Sequence, residues 1–304
     1  MRPLQLLKNR NLIMLLALVL GIFAGGFADK LSFLSMPVLS FMMIVSLSAF
    51  DYGKMLHSKQ LFGDALWGIV FNFLVTALAL MGLVYLIVPY DNLLYIGFIV
   101  IVLAPPGVVI VPFTSLLKGD VQRAAVGVIA GHILFLVAFP LTIFHISGGI
   151  DQVPVQNILT ILITVIIIPL LASRILRLGK IKTWTNTYRG HLINWSFFII
   201  IYIVIGINRI YFGSHALQLL YPGLAIGAFL FIFPFLMEKI FISTGYNKQK
   251  ITGDLLMMTV KNNGFSAVVS LQLFGPRAAI PSAALSVLLL LFLIVFSFKY
   301  KTKS

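Results

Sequence analysis

The chain has no cysteine and only eight acidic residues among 304. The first absence excludes disulfides, thiolate nucleophiles and cysteine-ligated zinc. The second leaves few carboxylates for acid–base chemistry or for oxygen-ligated metals. Charge of either sign is scarce, at 10% of residues, against about a quarter in a soluble domain. Apolar residues take the remaining room: 60% of the chain is hydrophobic and the mean hydropathy is +1.07. Apolar runs recur from Asn11 to the C-terminus, and a helical bilayer crossing takes about 20 such residues. These runs lack strict alternation, which argues against a β-barrel. The composition predicts an all-α polytopic membrane protein.

Ten spans are expected, near 11–28, 32–50, 66–89, 94–117, 122–146, 155–174, 191–208, 216–237, 252–274 and 279–298. The basic, then apolar, first 27 residues read as an uncleaved first span, because more spans follow at once. With the N-terminus inside, 18 of the 22 Lys and Arg residues fall on inside segments. Lys30, Arg209 and Arg277 fall outside, and Lys261 falls within the membrane. By the positive-inside rule both termini are expected to be cytoplasmic. The net charge of +14 is therefore read as a topology signal with attraction to the lipid bilayer, not as nucleic-acid binding. The midpoint is placed in the outside loop around His145–Gln156, giving residues 1–147 and 148–304 five spans each. An odd number per half makes the halves inverted repeats, an architecture of secondary transporters.

Lys261 stands in mid-span, in the run Leu255–Met258, Thr259, Val260, Lys261, Asn262, Asn263, Gly264. A lysine at bilayer centre costs roughly 2.5–3.5 kcal/mol on insertion scales, and such residues face a polar cavity or a partner. The alternative is a lysine near a span end, snorkelling to the interface. Span four carries a second break, Pro105, Pro106 and Gly107, with Val108 next to it. Prolines cannot donate backbone hydrogen bonds, so freed groups must find partners or line a wet cavity. Each break is expected to expose a half-helix N-terminus, which favours anions. Corresponding broken spans in the two halves are a pointer to a transport site. The candidate substrate-binding residues are Lys261, Asn262, Asn263, Gly264, Pro106, Gly107 and Val108.

The stretches Ala104-Pro-Pro-Gly107 followed by Leu116-Leu-Lys-Gly-Asp120, and Asn262-Asn-Gly264 followed by Phe274-Gly-Pro-Arg-Ala-Ala-Ile-Pro281, carry a resemblance. With the span count and the order and separation of the motifs, the chain resembles the bile acid:sodium symporter family, in a divergent bacterial form, over essentially its whole length. The resemblance implies ten helices, with a panel of spans 1, 2, 6 and 7. It also implies a core of spans 3–5 and 8–10, in which broken spans 4 and 9 cross. It implies organic anions as substrates, from bile acids to small carboxylates, and the inner (plasma) membrane of a bacterium. It also exposes departures. The family's sodium-binding Ser-Asn pair falls on Ile110 and Val111, its next hydroxyl ligands on Ala124 and Val128, its Glu on Met257 and its Gln on Lys261. Hard cations want oxygen ligands, so sodium is read as lost, with the Lys261 ammonium in its place.

For proton coupling, Lys261, His132 and Asp254 are the candidates. A histidine titrates near neutrality, but a neutral core role for His132 is an equal reading. Asp254 is read first as a solvated span-start acid and second as a gate at the inside mouth. Glu238 is read as interfacial. The expected function is a secondary transporter of a small organic anion, sodium-independent, by proton coupling, uniport or exchange. The alternatives are a sodium-coupled symporter of bile-acid-like or small carboxylate substrates, and a sensor or scaffold on a transporter fold. Auxin-efflux-type carriers are a neighbouring transporter reading. No enzyme is expected, and neither a cofactor nor a metal site.

Overall fold

The computed structural model describes residues 10–49, 60–107, 109–146, 156, 160, 163–209 and 216–301. The elements begin with α1 (Arg10–Ala24), short helical turns over 25–34 and α2 (Ser35–Leu47). Next, α3 (Leu61–Ile69) runs through a π-helical stretch, Val70–Val75, into α4 (Thr76–Ile87). Two short helices follow, α5 (Asn92–Leu103) and α6 (Ile110–Leu116), before the long α7 (Val121–Ile146). A π-helical stretch at Ile163–Ile167 leads into α8 (Ile168–Ile175), then α9 (Gly179–Ile207), α10 (Ala216–Phe231) and α11 (Phe233–Ser243). The last three are α12 (Lys248–Thr259), α13 (Asn263–Phe274) and α14 (Pro276–Lys301).

The expectation of ten membrane spans is corrected. Among the described residues six helical stretches are long and apolar enough to cross a membrane: Leu12–Leu47, Leu61–Ile87, Val121–Ile143, Gly179–Ile207, Gln218–Ser243 and Pro276–Tyr300. Three sources of the difference are physical. The first two expected spans run on as one helical stretch through the turns over 25–34. The expected fourth and ninth spans are each cut by a break into pieces of 12 residues or fewer. The sixth is described only from Ile163, as the shorter Ile163–Ile175. No division into inverted repeats, or into panel and core, is explicit in this bundle. The expected boundary after residue 147 lies outside the described residues.

Helix is the outcome because each backbone amide and carbonyl must be satisfied where water is absent. Close packing then depends on small residues. α9 packs along α1 and α2, α7 along α3, and α14 along α5, α10 and α13. At the α3–α7 contact, a Cβ on Gly68 would lie 2.2 Å from the Gly127 Cα, so only glycine permits that approach. The Lys-Gly-Asp motif is a turn with a mechanical role. Lys118 adopts a left-handed φ of 55°, and the Gly119 amide donates to the Thr114 carbonyl at 2.8 Å, closing α6. Asp120 then caps α7, its carboxylate accepting from the Arg123 amide at 2.9 Å.

Candidate functional site where two broken helices cross

The two breaks meet. Residues Ala104–Val109 separate α5 from α6, and Val260–Asn262 separate α12 from α13. The Gly107 amide donates to the Val260 carbonyl at 2.9 Å, and the Asn262 amide donates to the Pro105 carbonyl at 2.8 Å. Pro106 and Lys261 thereby form an isolated antiparallel bridge. Pro105 and Pro106 break one helix, and the carbonyls and amides freed there find their partners in the other break. A Cβ on Gly107 would sit 2.7 Å from Val260 Cγ1 and 3.0 Å from the Lys261 carbonyl, so the bridge needs glycine at that place.

Lys261 is 2% exposed, which rules out snorkelling to an interface. Its ammonium donates to the Asn72 carbonyl at 3.0 Å and to Asn72 Oδ1 at 2.7 Å. It also lies 4.4 Å from the centre of the Phe73 ring, a cation–π contact. Among the described residues no carboxylate pairs with it. Asn72 and Phe73 belong to the π-helical stretch between α3 and α4. Such a stretch shifts the carbonyl ladder by a residue and marks functional sites in many helices. Asn72 is itself held, its Nδ2 donating to the Met257 carbonyl at 2.9 Å. Thr76 Oγ1 donates to the Met258 carbonyl at 2.6 Å. The end of α12 is thus tied to the π-helical stretch on both sides.

Asn262 caps α13, its Oδ1 accepting from the Phe265 amide at 3.1 Å, while its Nδ2 reaches Met43 Sδ at 3.2 Å. Asn263 Nδ2 donates to Ser286 Oγ of α14 at 2.6 Å. Gly264 is buried one residue further on. The expected anion-binding half-helix ends look different in detail. α6 has seven residues, and the start of α13 is already served by Asn262. Beside the crossing is a cavity of about 20 Å³, space for about one water. Gly107, Lys261, Asn262, Asn263 and Ser286 line it, with an apolar wall that includes Met14 and Phe197. Val108 lies outside the described residues.

Of the proton-coupling candidates, His132 is 8% exposed. Its Nδ1 lies 2.7 Å from the Val128 carbonyl, and its Nε2 has no partner among the described residues. Asp254 is not a solvated span-start acid: it is 5% exposed. Arg123 donates to it through Nε at 2.9 Å and to Asp64 through Nη1 at 2.7 Å. Tyr246 closes the cluster, its hydroxyl donating to Asp254 Oδ2 at 2.6 Å while accepting from Arg123 Nη2 at 2.9 Å. Burial, reinforced by Asp254, pushes the Tyr246 hydroxyl well above its ordinary range, so it stays protonated. Glu238, read as interfacial, is buried and pairs with Lys299, whose ammonium lies over the Phe235 ring.

The sequence reading missed Asn72, Thr76, Ser286 and the Arg123 network. Asn72 had a usable signal, a lone carboxamide inside the apolar run 61–87. The positions onto which the resemblance places the family's sodium ligands, Ile110, Ala124, Val128 and Met257, are buried, and Val111 packs against the same core.

The model of the Sodium Bile acid symporter family matches residues 35–214, more than half of the chain. The chain belongs to the sodium bile acid symporter family. No curated protein matches it. The match takes in the first break and the Lys-Gly-Asp turn and ends before the second break. Membership makes this a multi-spanning membrane protein of the secondary-transporter class and not an enzyme. Among the described residues no group of three or more His, Cys, Asp or Glu is arranged to hold a metal.

Proposed function

We propose that this chain carries a small organic anion across the inner membrane of a bacterium by alternating access at the crossing. One observation supports the reading above the others. A buried ammonium, Lys261, stands at the junction of two broken helices, held by the neutral oxygens of Asn72 and, among the described residues, by no carboxylate. An incoming anion supplies the missing counter-charge. Pro106, Gly107, Asn262, Asn263 and Gly264 shape the place where it binds, with the two asparagines as hydrogen-bond donors. The cavity there holds about one water, so a substrate enters only when α1 and α9 part from α13 and α14. That parting is the alternating-access step.

For the coupling ion, the family match favours sodium-coupled symport of a bile-acid-like or small carboxylate substrate over a sodium-free cycle. A specific feature of this chain favours the second reading. Asn72 O and Oδ1, oxygens that a hard cation would want, are occupied by Lys261, and the positions of the family's sodium ligands are aliphatic. In that reading Lys261 replaces the ion, and protons are a candidate driving force. The unpartnered Nε2 makes His132 a better relay than Asp254, which is committed to Arg123.

The test is thermal stability of the purified protein against a library of organic anions, in sodium chloride and again in choline chloride. An anion that stabilises in both salts supports the sodium-independent carrier. Stabilisation in sodium alone supports symport. No stabilisation by any anion in either salt overturns the transport reading in favour of a sensor or scaffold.

A further inference from the structure

Away from the crossing, the end of α8, the turn after it and α9 carry Arg174, Arg177, Lys180, Lys182 and Arg189 and no acid between Leu170 and Ile207. Most of the first three turns of α9 is exposed, including Trp184 and Tyr188, whose rings lie 5.4 Å apart. Spacing at i, i+4, i+8, i+11 and i+15 puts Lys180, Trp184, Tyr188, His191 and Trp195 along one stripe of the helix. Aromatic rings with a long cation at the end of one stripe are the composition of a membrane–water interface.

That stripe runs into a groove. Between α2 and α9, Pro37, Val38 and Phe41 on one side and His191, Leu192, Trp195, Ser196 and Ile199 on the other enclose about 350 Å³ with an almost wholly apolar lining. At its cationic end Arg189 leans on α2, its Nη2 donating to Ser48 Oγ at 3.4 Å and to Asn186 Oδ1 at 2.7 Å. Its Nε is buried and finds no hydrogen-bond partner among the described residues. Arg177 is near enough for the two guanidiniums to repel. From Arg189 to Trp195 the helix rises about 9 Å, a length that a lipid glycerophosphate and the first methylenes of its acyl chain can span.

We propose that this groove is a binding site for one anionic phospholipid. An acyl chain occupies the space between α2 and α9, and the headgroup phosphate sits between Arg189 and Arg177, at the end of the groove where Arg189 meets Ser48. Charge complementarity selects the occupant. A zwitterionic lipid brings no net negative charge to a stretch with five basic residues and no acid, whereas a phosphatidylglycerol headgroup does. The site is separate from the crossing and does not depend on which substrate is carried.

The test uses the full chain in nanodiscs of phosphatidylcholine alone and of phosphatidylcholine with a quarter phosphatidylglycerol. Thermal unfolding is followed, and retained lipid is counted by native mass spectrometry. The expected result is a higher Tm by several degrees and one retained phosphatidylglycerol in the mixed discs, with the Tm gain reduced in high salt. Arg177→Gln with Arg189→Gln is expected to lose both the shift and the adduct. Val38→Trp, which fills the groove and leaves every charge in place, is expected to lose the adduct as well. Equal Tm in the two lipids, or an adduct that survives in either variant, overturns the proposal. Because Arg177 lies in the turn before α9, Arg177→Gln alone keeps the fold and is expected to weaken phosphatidylglycerol retention severalfold. Unchanged retention in that variant counts against the site.

Discussion

Lys261 has two oxygen partners and an aromatic face, all supplied by residues 72 and 73. Replacing Asn72 by Leu removes the amide oxygen and also frees the Met257 carbonyl. Buried groups left unsatisfied in this way cost about 1–3 kcal/mol. Asn72→Leu is therefore expected to lower Tm and to abolish anion-dependent stabilisation, while Asn72→Gln recovers part of the stability. Measuring both variants by thermal unfolding, with and without the stabilising anion, separates the two effects. Gly107→Ala is expected to lose about 1–3 kcal/mol through overpacking against Val260, read as a lower Tm in the same assay. Lys261 was legible in the sequence because a lone cation in an apolar run has no ordinary reason to be there. Its partner was not, because Asn72 is 189 residues away and no local pattern links them.

At the scale of elements, the Arg123 network ties α3, α7 and α12 together through Asp64, Asp254 and Tyr246. Removing one member leaves an unpaired buried charge, which costs about 3–5 kcal/mol. Arg123→Leu is expected to be severely destabilised, and the triple change Arg123→Leu, Asp64→Leu and Asp254→Leu to recover much of the loss in thermal unfolding. A second tie joins the turn before α5 to the start of α14. Arg277 donates to Asp91 at 2.5 Å, and this bond holds the Asp91 carboxyl below its ordinary value. A depressed carboxylate contributes stability above its unfolded pKa of about 4 and loses it as pH falls through the folded value. The Tm advantage of the wild type over Asp91→Asn is therefore expected to be full above about pH 5 and to shrink in stronger acid. A constant difference down to pH 3 contradicts this. The two breaks were legible from Pro105–Pro106 and Asn262–Gly264. The number of long helices was not, because an apolar run does not record where a helix stops. Neither did the sequence reveal that Asp254 is buried, since its partners lie on α7 and in the turn before α12.

For the whole molecule, the charge bias and the family agree on a multi-spanning membrane protein, and orientation can be tested simply because the chain has no native cysteine. With the inside-N-terminus scheme, Thr244→Cys is expected to react with an impermeant maleimide only after permeabilisation, and Lys30→Cys in intact cells. The reverse pattern contradicts the scheme. The most direct test of the crossing as an anion site is uptake of the stabilising anion into proteoliposomes by wild type and by Lys261→Ala, each in sodium chloride and in choline chloride. The account predicts uptake by wild type and none by Lys261→Ala in either salt, with the variant still inserted and monodisperse. Uptake by Lys261→Ala at the wild-type rate contradicts it.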